Sequence, residues 1–378
     1  MKLFHLSDLH LGKRVHEFSM LEDQRYILNQ IIGSADEHSP DAMIIAGDVF
    51  DKTVPSAEAM QLFDEFLCRL AQRSITVLII SGNHDSAERL SVGSHFFEKG
   101  GIHIPPVYDG KVSCITLTDN FGSVNFYLLP FIKPVQAKRF FPESEINSYT
   151  DAVAAALSAI ELNVAERNIL ITHQFVTGAV RSDSEEISVG GADNVDAAVF
   201  EQFDYVALGH IHRPQNIIPQ RIRYCGTPLK YSFSEAGNNN SITVVDIAAK
   251  GELSVSTLPL VPLRDMREIK GAYQTLTSRI SYAETNCEDY IHAILTDEQS
   301  VPYAFDKLRA IYPNIMRLSY DNARTRSTAQ LGELKDVERR SPLELFSDFY
   351  RTQNNSDLDD EQQSYLRALI EQVKEESL

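Results

Sequence analysis

Five short apolar runs punctuate the chain: Lys2–Leu6, Ala42–Ala46, Thr76–Ile80, Ile169–Thr172 and Tyr205–Leu208. Each is rich in Ile, Leu and Val and gives way to a polar loop, the pattern of a strand buried on both faces. Between some of them the spacing turns helical. Met20–Ala35 carries Leu21, Ile27, Leu28, Ile31 and Ile32, and Ser56–Ala71 carries Met60, Phe63, Phe66, Leu67 and Leu70, with Ser56 placed as an N-cap. Strands alternating with helices predict a layered α/β domain.

The texture then changes. Ser241–Ile247 and Glu252–Leu258 alternate about Lys250-Gly251, which reads as a hairpin, and Pro259 and Pro262 mark a boundary. Beyond it, Tyr290–Leu295 (strand), Ala304–Ile311 (helix) and Ile315–Tyr320 (strand) predict a compact βαβ-like unit. Polar residues dominate Asp321–Arg340. Ser341–Leu378 has the apolar spacing of two amphipathic helices, too short to own a core and therefore suited to docking. The expected division is 1–260 for the main domain, 261–325 for a smaller α+β domain, 326–340 for a linker and 341–378 for a helical pair.

Composition narrows the class. Of 378 residues, 43% are apolar and 23% charged, as in a globular chain, and the net charge is −18. That balance excludes a generic basic DNA-coating protein, but not a local nucleic-acid site, because screening confines useful fields to roughly 8 Å. Cys68, Cys114, Cys225 and Cys287 lie far apart, so neither a disulfide framework nor a zinc ribbon is indicated. No apolar stretch approaches the roughly 20 residues that span a bilayer, and the N-terminus lacks a secretory core. A cytoplasmic setting is expected.

The loops after the five runs hold the candidate chemistry: Ser7-Asp8-Leu9-His10, Gly47-Asp48-Val49-Phe50-Asp51, Gly82-Asn83-His84-Asp85, Thr172-His173-Gln174 and Gly209-His210-Ile211-His212. Each puts a carboxylate, imidazole or carboxamide just past a strand, at the carboxyl ends where open α/β sheets bind ligands. Residues two apart in extended backbone project to one side, so Asp8 with His10, and His210 with His212, are expected to grip one ion together. Oxygen and nitrogen donors without thiolate favour Mn²⁺, Fe²⁺ or Zn²⁺.

Motifs DLH, GDxFD, GNHD, THQ and GHIH, in this order, resemble the calcineurin-like metallophosphoesterase superfamily. HLSDLHLGK, AGDVFDKTVPS, SGNHDS, ALGHIHRPQ and the segment Tyr224–Glu235, similar to GSPLxxSFSE, narrow the resemblance to the SbcD family of nuclease subunits. It implies a layered β-sandwich metallophosphoesterase domain flanked by helices, a smaller α+β domain that caps DNA and a C-terminal helical pair. It also implies two divalent ions, most simply Mn²⁺, one held by Asp8, His10, Asp48 and His212 and the other by Asp48, Asn83, His173 and His210. By the same resemblance His84 is the catalytic histidine and Asp51 the residue that orients it. Asp85 receives no role.

The implied enzyme is a Mn²⁺-dependent 3'–5' exonuclease on duplex ends and an endonuclease on single strands and hairpins, acting in DNA break repair, recombination and replication. No GxxxxGK[ST] occurs, so ATP dependence must come from a partner, which the family supplies as an SbcC-type ATPase with a coiled coil. The family also forms homodimers through helices, expected here at 56–71 and 86–98. Lys13, Arg14, Lys52, Arg89 and Arg213 beside the motifs are candidate phosphate contacts. Two other readings are a small-substrate metallophosphoesterase, such as a cyclic nucleotide phosphodiesterase, and a metal-free scaffold of the same fold. Filled ligand positions count against the second.

Overall fold

The structure is a computed structural model that describes residues 1–185 and 193–326, with a few further positions between 343 and 370. The chain divides into two compact units, Met1–Met266 and Arg267–Leu378. The expected linker at 326–340 and helical pair at 341–378 lie outside the described residues, apart from Arg326 and those scattered positions.

The first unit is built on two six-stranded sheets. One runs in the order Leu253–Pro259, Ser241–Ile247, Lys2–Leu6, Ala42–Ala46, Thr76–Ile80, Ile102–His103. The other runs Gln215–Ile218, Ile222–Tyr224, Tyr205–Gly209, Arg167–His173, Gly122–Leu129, Ser113–Asp119. The five apolar runs are therefore split, three in the first sheet and two in the second, and do not form one open sheet. A short apolar run records burial on both faces but not which sheet it joins.

Between the sheets, Leu3, Ala42, Ile44, Ala46, Leu78 and Ile80 pack against Val124, Phe126, Leu128, Ile169, Ile171, Tyr205 and Ala207. His5 carries a polar contact across this core. The carbonyl of Leu208 can only accept, so His5 donates to it from Nε2 (3.2 Å), which leaves Nδ1 to accept the Tyr205 hydroxyl proton (2.9 Å). Burial, with the charge of Arg223 adding to it, lowers the His5 pKa to about 3.

Helices cover the first sheet. Leu21–His38 buries Ile27, Leu28, Ile31 and Ile32, and Ala57–Ala71 buries Phe63, Phe66, Leu67 and Leu70. Ser56 caps the latter, its hydroxyl accepting the Ala59 N–H at 3.3 Å. Ser241–Ile247 and Leu253–Pro259 form the antiparallel hairpin about Gly251.

In the second unit, Tyr290–Leu295 lies between Met266–Gly271 and Ile315–Tyr320 in a three-stranded sheet. Tyr290–Leu295 and Ile315–Tyr320 pair in parallel, joined through the helix Ala304–Arg309, which ends before the expected Ile311. Leu276, Ile291, Ala293, Leu295, Leu308, Tyr312 and Ile315 make its core.

Candidate metal centre

All five chemistry-bearing loops converge in the first unit. Main-chain bonds join the first two: Asp8 N–H to Gly47 O (3.0 Å), His10 N–H to Asp48 O (3.0 Å) and Leu11 N–H to Val49 O (2.9 Å). His84 N–H donates to Asp48 Oδ1 at 2.9 Å, and His210 N–H reaches the Asp8 carboxylate at 3.1 and 3.2 Å, tying the second sheet to the first.

Glycine makes this approach possible. A Cβ on Gly82 would stand 2.1 Å from Asp48 Oδ1, and one on Gly209 would stand 1.9 Å from the Ala46 carbonyl oxygen. Any side chain there would hold the loops apart.

Asp48 Oδ2 is the hub. It lies 3.4 Å from His173 Nε2, 3.7 Å from His10 Nε2 and 4.0 Å from His84 Nε2. Asn83 Oδ1 lies 3.1 Å from His173 Nε2 and 2.9 Å from His210 Nδ1. On the other side His10 Nε2 and His212 Nε2 face each other at 3.1 Å. Among the described residues, Asp8 with His10 and His212, His10 with Asp48 and His84, and Asp8 with Asp48 and His173 each form a trio able to hold a cation.

The two-residue spacing works differently from expectation. Asp8 (φ 53°), His10 (φ 44°), Asp48 (φ 50°) and His210 (φ 101°) sit in positive-φ backbone, so the pairs meet through tight turns and not along extended strand. L-residues adopt this conformation at a cost, and it concentrates where the surroundings over-determine it. Gln24 supplies part of that bracing: its amide donates to His10 O (2.7 Å) and its oxygen accepts Gly12 N–H (3.0 Å). Tyr231 donates its hydroxyl proton to Leu9 O at 2.5 Å.

The electrostatics fit a cation. Burial raises the Asp8 carboxyl above its ordinary range. Burial would also raise Asp48, but the charge and hydrogen bond of His173 lead the contacts that outweigh it and hold that carboxyl down. His10 and His210 are driven well below the ordinary imidazole range, chiefly by burial. Against the same burial, the Asp48 carboxylate lifts His173 to about 9, and Glu235 lifts His212. Buried carboxylates crowded by inward-facing imidazole nitrogens are costly unless a cation shares them. His10 Nδ1, buried without a hydrogen-bond partner, adds to that cost. The nitrogen and oxygen donor set suits a divalent ion of borderline or hard character.

Other residues fall where the sequence did not place them. The Asp51 carboxylate does not orient His84. It pairs with Lys13 Nζ at 2.6 Å and lies 3.8 Å from His10 Nδ1, while the Asp51 carbonyl accepts from His84 Nδ1 at 3.1 Å. Lys13 is thereby half-buried in an ion pair, whereas Arg14, Lys52, Arg89 and Arg213 are exposed. Asp85, given no role from sequence, accepts three main-chain N–H groups: Val49 (3.1 Å), Phe50 (2.9 Å) and Gly82 (2.9 Å). It clasps the Asp48 loop to the Asn83 loop. Its three-residue offset from Gly82 is a turn-closing spacing that could have been noticed. Glu235 and Glu185 flank His212, and no local pattern announces either contact.

The calcineurin-like phosphoesterase family matches this chain over residues 1–214, and the family described as the type 5 capsule protein repressor C-terminal domain matches residues 262–354. The chain is 33% identical over 378 residues to the D subunit of the nuclease SbcCD from Staphylococcus epidermidis, covering 98% of each. Among solved structures, a dimetal phosphatase from Danio rerio aligns with TM-score 0.42 and 10% identity over 69% of this chain and 96% of its own. A protein of Thermus thermophilus aligns with TM-score 0.40 and 11% identity over 68% and 98%.

Proposed function

Because the chain belongs to the SbcD nuclease family of the calcineurin-like phosphoesterases, and is thus a metal-dependent phosphodiesterase, we propose that it degrades DNA with Mn²⁺. It acts as a 3'–5' exonuclease on duplex ends and an endonuclease on single strands and hairpins, alongside an SbcC-type ATPase in cytoplasmic DNA break processing. The observation that carries this reading is the ring of inward-facing nitrogen and oxygen donors around Asp48 Oδ2.

Asp8, His10, Asp48 and His212 hold one ion, and Asp48, Asn83, His173 and His210 the other. When bound, such a pair supplies Lewis-acid polarisation of a phosphodiester and neutralises charge that develops as it breaks. His84 does the proton work. The Asp51 carbonyl takes its Nδ1–H at 3.1 Å, so in the imidazolium form Nε2, on the side of Asp48, is the nitrogen that gives its proton to the departing oxygen and is left as a lone pair. Lys13 neutralises the Asp51 carboxylate beside it and keeps that loop in place.

Exposed Arg14, Lys52, Arg89 and Arg213 serve as phosphate contacts, which hold a strand without reading its sequence. With a net charge of −18 on the whole chain repelling DNA, such local cations matter more. Residues 261–325 cap the DNA, 341–378 dock the ATPase coiled coil, and the helices at 56–71 and 86–98 pair two copies. No helix among the described residues is long and apolar enough to cross a membrane.

A Mn²⁺ assay on a hairpin oligonucleotide tests the reading. Cleavage that stops with chelator supports it. Hydrolysis of cyclic nucleotides with intact DNA would move the protein to small substrates. A chain ending at Arg340 should cleave short DNA yet fail to capture the ATPase. Undiminished capture removes the docking role.

A further inference from the structure

His212 is gripped on every side except the one that faces the metal pit. Its main-chain N–H donates to Glu185 Oε1 at 2.7 Å. Its ring Nδ1 meets Glu235 Oε1 at 3.0 Å and Ser184 Oγ at 2.7 Å. Ser184 spends its own hydroxyl proton on Glu235, so both groups at Nδ1 are acceptors. A carboxylate has no proton to offer in return, and Nδ1 must therefore carry the hydrogen. In the neutral imidazole that leaves Nε2 as a bare lone pair, aimed at His10 Nε2 across 3.1 Å.

Glu235 is itself immobilised. It is fully buried, its Oε2 accepts Tyr231 N–H at 2.9 Å, and its Oε1 also accepts from Ser182 Oγ at 3.0 Å. The other imidazoles of the pit are held differently. His173 donates Nδ1–H to a main-chain carbonyl, that of Ala46, at 2.8 Å, and His10 Nδ1 has no hydrogen-bond partner. In the trio Asp8, His10 and His212, one imidazole thus has its outer nitrogen fixed by a hydrogen bond and the other does not.

We propose that Glu235 is the positioning residue of this trio: it fixes His212 as the Nδ1–H tautomer and presents Nε2 to the ion. The proposal rests on the metal-centre reading above and adds a residue to it. Carboxylates that orient a ligating histidine through its outer nitrogen typically change metal affinity or activity about 10–100-fold when removed.

The test is Glu235→Gln in the full chain. Its amide cannot satisfy both Tyr231 N–H and His212 Nδ1–H. Turned one way, it opposes the main-chain donor; turned the other, it drives His212 to the Nε2–H tautomer. Mn²⁺ binding is followed by the loss of the free-ion electron paramagnetic resonance signal. Tautomers are read from ¹⁵N-histidine NMR of the metal-free protein, with His212→Gln assigning the resonance. One ion should weaken about tenfold or more while the other holds, whatever the buried amide costs the metal-free melting midpoint.

Unchanged affinity for both ions, or an equal loss at both with a lowered midpoint, overturns the proposal. An Nε2–H tautomer for His212 in the unsubstituted protein also overturns it, and that spectrum decides the matter should the variant not fold. Failure of the metal reading would look different: the unsubstituted protein would bind no Mn²⁺, while the tautomer could still be measured.

Discussion

Replacing Gly209 by alanine isolates the closest approach between the two sheets. The added Cβ would lie 1.9 Å from the Ala46 carbonyl oxygen, 2.7 Å from His173 Nδ1 and 3.0 Å from the Ala46 carbonyl carbon. Relief to ordinary contact needs a movement of about 1 Å or more, and nothing flexible is available to yield, since Ala46 is a buried strand end. Overpacking of this kind costs about 1–3 kcal/mol. The moving carbonyl is also the acceptor for His173 Nδ1–H at 2.8 Å, and loss of that bond adds about 1 kcal/mol. The sum is a destabilisation of about 2–4 kcal/mol.

Function should suffer alongside stability, because a shift of about 1 Å at a reacting centre can cost about 10²-fold in rate. Gly33→Ala is the control. It lies in the helix Leu21–His38 with nothing within 4 Å of its Cβ, and should gain about 0.5–1 kcal/mol. Urea denaturation of both variants, with Mn²⁺-dependent phosphodiesterase activity on the same preparations, is the assay. A Gly209→Ala protein with the stability and turnover of the unsubstituted chain would refute the steric reasoning.

Three further outcomes follow from the same geometry. His84→Ala should bind Mn²⁺ normally yet hydrolyse DNA about 10²–10⁴-fold more slowly, and equal turnover would remove Nε2 from proton transfer. Asp85→Asn turns a donor toward one of the three N–H groups its carboxylate accepts, which should cost about 1–3 kcal/mol by denaturation, and an unchanged midpoint would contradict the clasp. His5, at about 3 when folded against 6.5 when free, is protonated first in the unfolded chain. Its contribution is complete above the free value and erodes by about 1.4 kcal/mol per pH unit as pH falls toward the folded one. His5→Gln should therefore flatten the stability profile on the acid side of neutrality, and an unaltered slope would refute that assignment.

Much of the site could be read from residue order because each motif follows its own strand. Apolar runs such as Ala42–Ala46 and Thr76–Ile80 have the same limits in the structure as in the sequence pattern, since four or five consecutive buried residues leave little freedom. Ser56 was equally legible, because an N-cap acts within one turn. What escaped was non-local. Membership of Arg167–His173 and Tyr205–Gly209 in a second sheet depends on pairing with Gly122–Leu129 and Ile222–Tyr224, which no run of residues announces. Asp51 meets His84 through its carbonyl, a group every residue carries, so the sequence could not say which of its atoms makes the contact. Glu235 lies 23 positions from His212, and only the folded chain brings the two together. The left-handed backbone at Asp8, His10, Asp48 and His210 went unread although Asp and His are among the residues that adopt it most readily, because that preference alone does not say which of them will.

Anomalous diffraction from a crystal soaked in Mn²⁺ tests the central claim most directly. Two manganese peaks should appear flanking Asp48, one among Asp8, His10 and His212 and the other among Asn83, His173 and His210. A single peak elsewhere on the surface, or none within reach of the Asp48 carboxylate, would contradict the account.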